Sequence, residues 1–287
     1  PMRARKMLYQ FINATWEDTP KEHNPDDVPE WKLYQSVEAC LKGKALPTAL
    51  ETLSFCWRIE GIDLQTVTHL IRHRTGSWSA QCSGDRWQSQ SNSIVPGPVQ
   101  NSPEIYERWK KHVEEAKQLY CDMIDTKKIS IMDARTILPR AIETHYYARF
   151  CLKDALGFIY QRLDKAIQTS CDNLIAYQMF ISIAKIFPEI LTVVNFHAPS
   201  AHFVKTARTG KATNLYIPDI DSSPKFEYNE MDFIYQCERD EMNGTDPVMG
   251  KRENFKFTQF QKKYDAEIAE MTAKYKQWKL EVGFEEV

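Results

Sequence analysis

Three consecutive strong hydrogen-bond donors, Arg72-His73-Arg74, stand where the helical spacing of Leu64, Val67, Leu70 and Ile71 gives way to a Ser/Gln-rich loop. Paired guanidiniums grip phosphate or an anionic ring bidentately. The plainer alternative is a solvated helix end, where cations are favoured by the backbone dipoles. The loop itself favours the first reading, because Thr75, Ser77, Ser79, Gln81, Cys82, Ser83 and Arg86 add further donors and a thiol at once. A thiol flanked by Arg74 and Arg86 has the electropositive surroundings that favour a thiolate nucleophile.

Certain elements must hold these residues. Residues 50–60 are β-branched and aromatic with near-alternating polarity and predict a strand that Gly61 ends. Asp63 is placed to cap the helix that leads into Arg72. From Thr75 to Ser102 the composition is that of a loop, with Trp78 and Trp87 as anchors. Ser102-Pro103-Glu104 starts a helix, and Ile105, Trp109, Val113, Ala116, Leu119 and Met123 continue it at steps of three and four. The helical pattern continues over 133–137, 144–160 and 173–187, and Pro188 stops the last of these. Residues 18–27 form a polar exposed loop, and the chain is irregular from Pro199 to about residue 254. Phe260, Tyr264, Ile268, Met271, Tyr275 and Trp278 then mark one stripe of an amphipathic helix over 257–280, predicting docked core or an oligomer contact.

The 287 residues are 43% apolar and 26% charged, which disfavours wholesale disorder and a fibrous repeat. With 37 Lys and Arg against 39 Asp and Glu there is no global positive field, so neither polymeric nucleic acid nor an anionic membrane is an expected partner. No apolar stretch approaches the roughly 20 residues of a membrane span, and no secretory signal pattern is seen, so a cytoplasmic protein is expected. Seven scattered cysteines without a Cys-x-x-Cys pair argue against a disulfide framework and against zinc, and no metal site is expected.

The chain resembles the flavin-dependent thymidylate synthases of the ThyX type. Their signature, Arg-His-Arg followed by seven residues and Ser, is met by Arg72-His73-Arg74 and then Cys82, or by Ser83 in a longer loop, with Arg86-Trp87 at the Arg-Tyr end. Arg135-Thr136-Ile137-Leu138-Pro139 resembles the family's Arg-x-x-Leu-Pro, Arg162 follows 27 residues later, and Gln168 lies six beyond that. Thr48 and Glu51 resemble a Thr-Pro-x-Glu turn. Departures fall at Leu46, at His69 (Gln in the family) and at Cys151-Leu152-Lys153 (Asn-x-Arg in the family), and the tail from Pro199 has no counterpart in compact members.

What the resemblance implies is an α+β fold, a small antiparallel sheet with a helical bundle, spanning residues 1–198; the unmatched residues 199–287 are expected to form a C-terminal extension with the amphipathic helix, packed on the same domain. It implies a homotetramer with shared sites, and reductive methylation of dUMP at C5 using FAD, methylene-tetrahydrofolate and NADPH. By the same resemblance Arg162, His73 and Cys82 are the catalytic residues. The nucleotide falls to Arg135, Arg162, Gln81, Ser83, Arg86 and His69, and the cofactor to Thr48, Glu51, Arg72, His73, Arg74, Thr75, Cys151, Lys153 and Gln168. Cys82 either adds to uracil C6 or merely replaces a contact serine. Two alternatives stay open: a C5-hydroxymethylase, in which water rather than hydride meets the exocyclic methylene, and a non-catalytic nucleotide-binding homologue.

Overall fold

A computed structural model describes residues 1–14, 23–80, 87–95, 99, 102–162, 170–192 and 257–286. In chain order the elements are α1 (Met2–Asn13), α2 (Glu30–Leu41), a 3-10 turn (Pro47–Thr52), β1 (Ser54–Asp63), α3 (Leu64–Leu70), β2 (Ser77–Ala80) and α4 (Pro103–Asp125). They continue with α5 (Ile131–Ala134), a 3-10 turn (Arg135–Ile137), β3 (Glu143–Cys151), α6 (Leu152–Arg162), α7 (Ser170–Ala184), a 3-10 turn (Pro188–Thr192) and α8 (Phe257–Glu281). Helices with one small antiparallel sheet, in strand order β1-β3-β2, make the protein α+β, as the sequence reading expects. No helix among the described residues is long and apolar enough to cross a membrane.

The chain divides into two compact units. The described parts of Pro1–Phe55, Phe150–Arg239 and Gln259–Val287 make one, and those of Cys56–Arg149 and Asp240–Thr258 the other.

In the first unit Leu8, Leu33, Val37, Leu41, Leu50, Phe158, Phe180 and Ile183 are buried in a helical core. Two charged clusters lie within it. Arg5 forms a bidentate pair with Glu189, its Nη2 at 2.9 Å from Oε2, and its guanidinium lies 3.8 Å from the centre of the Tyr34 ring. Burial pushes the Glu189 carboxyl up, and Arg5 opposes that shift. On α8, Tyr275 donates its hydroxyl to Glu38 Oε1 (2.9 Å), and Lys279 Nζ reaches both Glu38 oxygens (3.1 and 3.2 Å). Trp278 packs on Tyr34 with ring centres 4.6 Å apart. Tyr275 and Trp278 of the tail stripe are therefore docked core, closed by a buried ion pair, while the Phe260 side chain lies outside the described residues.

In the second unit Tyr146 and Ala148 of β3 are fully buried, and β2 pairs with β3 in the register Trp78↔Ala148 and Ala80↔Tyr146. Three local expectations change here. Residues 50–52 lie in a 3-10 turn opened by Pro47, and the strand begins at Ser54 and continues through Gly61, whose φ of 69° bends it without ending it. Residues 144–151, expected helical, belong to the strand Glu143–Cys151: Tyr146, Ala148 and Phe150 alternate inward with exposed Tyr147 and Arg149, a period of two. The supposed loop after Thr75 holds a four-residue strand whose inward side chain is Trp78.

Candidate functional site

The Arg-His-Arg triplet forms a turn rather than a frayed end. Asp63 caps α3 by accepting from the Thr66 backbone N–H at 2.6 Å, as its type predicts, and Val67 and Leu70 bury the helix. After α3 the His73 N–H donates to Leu70 C=O (3.2 Å), while the His73 C=O accepts from the Gly76 N–H (3.3 Å) and from the Trp78 indole N–H (2.9 Å). His73 is thus tied at both peptide groups. Arg72 and Arg74 flank it, both exposed and without a carboxylate partner among the described residues. Thr75 is exposed, and His69, half-buried, sits on the last turn of α3. Arg135, half-buried, opens a separate 3-10 turn of the same unit.

In the other unit the turn Pro47–Thr52 buries Ala49 and Leu50 and exposes Thr48 and Glu51. The Leu152 N–H donates to the Leu53 C=O (2.7 Å), joining the start of α6 to the end of that turn. Lys153 Nζ consequently lies 2.8 Å from Glu51 Oε1. Glu51, in the turn that resembles the family pattern, and Lys153, at a position that departs from it, are 102 positions apart and make one ion pair. The neighbouring Cys151 thiol donates to Asp154 Oδ2 (3.1 Å), and its pKa is pushed up to about 11, chiefly by burial. It stays a protonated thiol at neutral pH and is no nucleophile.

Arg162 ends α6 almost wholly buried, with Nη1 3.8 Å from Asp172 Oδ2 in the first turn of α7. Each charge sits at the helix terminus whose dipole favours it. Asp172 is missing from the sequence-derived site, and its one signal is an acidic side chain in an otherwise uncharged helical run. Trp78 was read only as an anchor. Gln81, Cys82, Ser83, Arg86 and Gln168 lie outside the described residues. Among the described residues no group of three His, Cys, Asp or Glu side chains could hold a metal ion.

Fold and turn together define a class, an α+β protein carrying an anchored, doubly cationic turn. The chain belongs to the thymidylate synthase complementing protein family, whose sequence profile matches residues 2–189.

Its relatives include a flavin-dependent thymidylate synthase of Pyrococcus furiosus, 29% identical over 140 residues, which are 47% of this chain and 57% of that protein. Another from Thermococcus onnurineus is 30% identical over 142 residues, 47% of this chain and 56% of that protein. A third, from Clostridium tetani, is 23% identical over 203 residues, 65% of this chain and 78% of that protein. The chain thus spans little more than half the length of the Pyrococcus and Thermococcus relatives. Among solved structures, the crystal structure of the UMP/dUMP methylase PolB from Streptomyces cacaoi, bound with 5-Br dUMP, is similar with a TM-score of 0.51. It is 17% identical, over 64% of this chain and 87% of that one, a likeness of fold.

Proposed function

We propose that the chain is a flavin-dependent enzyme that methylates the C5 position of a pyrimidine nucleotide, dUMP first among the candidates. The observation that carries this reading is the anchored Arg72-His73-Arg74 turn in a chain of this family. It offers two exposed guanidiniums, a donor set suited to the diphosphate of FAD. Arg72, His73, Arg74 and Thr75 would hold that group, with Thr48, Glu51, Cys151 and Lys153 as further contacts. When bound, it supplies hydride transfer.

Uracil C5 is a weak nucleophile until C6 gains a hydride or a thiolate, which places enolate charge on the ring. Arg162 would stabilise that charge, since a buried guanidinium acts with little water to screen it. Arg135, Arg86, Gln81, Ser83 and His69 would hold the nucleotide, and Cys82 would stand beside its C6. The reaction balances as dUMP, methylene-tetrahydrofolate, NADPH and a proton giving dTMP, tetrahydrofolate and NADP⁺. Residues 1–198 would carry the catalysis, 199–287 would be the extension, and the sites would be shared within a homotetramer.

Incubation with dUMP, methylene-tetrahydrofolate, FAD and NADPH, followed by mass analysis of the nucleotide, tests this reading. The expected product is dTMP. A product heavier by one oxygen makes the chain a hydroxymethylase, and unchanged dUMP with no retained flavin overturns the reading.

A further inference from the structure

We infer that Trp78 is a positioning residue for the flavin-contacting turn, acting through the backbone of His73 rather than by touching a ligand. The inference rests on the reading of Arg72-His73-Arg74 as a flavin contact. A triplet whose neighbouring arginines both extend into solvent can present them in a constant geometry only if its backbone is held from inside. The holding bond is visible: the Trp78 indole N–H donates to the His73 C=O at 2.9 Å, a shorter contact than the 3.3 Å bond from the Gly76 N–H to the same oxygen.

Trp78 is itself held. It is the inward side chain of β2, directly opposite Ala148 of β3, and its ring centre lies 5.4 Å from that of Tyr146, two residues along the same face of β3. Tyr146 and Ala148 are completely buried. The sheet therefore fixes the indole, and the indole fixes the carbonyl between the two arginines. A leucine or phenylalanine would fill the same inward position without donating to His73, so packing alone does not account for tryptophan here.

The test compares Trp78→Phe, which keeps an aromatic ring and removes the donor, with Trp78→His, which keeps a ring N–H. Trp78→Phe should weaken FAD binding about five- to tenfold, the loss of one hydrogen bond, while the nucleotide KM at saturating FAD stays within about twofold. Trp78→His should recover most of that affinity. Without flavin, trypsin should cut after Arg72 and Arg74 several-fold faster in Trp78→Phe and no faster at other sites. Wild-type FAD affinity and wild-type cleavage in Trp78→Phe overturn the inference. So does its global unfolding, which would make Trp78 a prop of the sheet. A wild-type protein that binds no FAD while the trypsin difference persists sinks the flavin reading and leaves the anchoring role in place.

Discussion

Arg162 and Asp172 face each other at 3.8 Å, from the last turn of one helix to the first turn of the next, with side chains 8% and 0% exposed. An arginine so far out of water needs a fixed counter-charge beside it. Asp172→Asn removes the charge and keeps the shape. It should cost about 3 kcal/mol of folding stability, read as a fall in the urea midpoint at constant slope. Arg162→Met with Asp172→Leu should cost less than either single change, and strict additivity would count against the pairing.

Lys153 and Glu51 form the contrasting case, a partly exposed pair at 2.8 Å. Water screens it, so Lys153→Ala should change stability by less than about 1 kcal/mol. FAD retention on gel filtration should nevertheless fall, because the change removes a cation from the proposed cofactor contacts. Full retention would exclude Lys153 from them.

Glu38 is fully buried and receives Tyr275 and Lys279 from the C-terminal helix. Glu38→Ala should destabilise by about 3 kcal/mol, and Tyr275→Phe by about 1 kcal/mol. Hydrogen exchange should localise the loss to residues 263–281 and to α2. Uniform acceleration across the chain would contradict that docking.

The cysteines should sort by environment. Cys56 is exposed, whereas Cys40 is buried and its thiol is pushed up to about 12 by burial. Iodoacetamide at pH 8 should label Cys56 in the native protein and spare Cys40 and Cys151, as site-resolved mass spectrometry would show. Rapid labelling of Cys151 would contradict its protected, protonated state.

The same thiols set an alkaline limit. Cys151 is raised from 9.0 to about 11, so above pH 9 the unfolded chain has lost a proton that the native chain still holds. Stability must then fall as pH rises from 9 towards 11. Cys151→Ser should flatten part of that slope in melting temperatures, and an unchanged slope would remove Cys151 from the account.

Features written in local spacing were legible from the residues: the Asp63 cap, the helix opened by Pro103 and the tail stripe. Residues 144–151 were misread because their apolar positions satisfy a helical step as well as alternation, and cross-strand pairing with Ser77–Ala80 decides between them. The triplet was legible because its three donors are contiguous. Asp172 and Trp78 were not: each matters through a partner whose nearness depends on how the chain turns between them. Nothing in the local spacing marks Glu38 as buried, because Tyr275 and Lys279, which cover it, lie 237 and 241 positions away.

That separation shapes how the protein is born. A ribosome releases Glu38 together with its local partner Lys42, whose Nζ lies 3.1 Å from Oε2, yet Tyr275 and Lys279, which complete its burial, come only with the distant α8. Until then the Glu38 carboxylate has only Lys42 beside it, and full burial against a single partner is costly. Closing so large a span is slow, so the docking of α8 on α2 is a late step in the assembly of this unit.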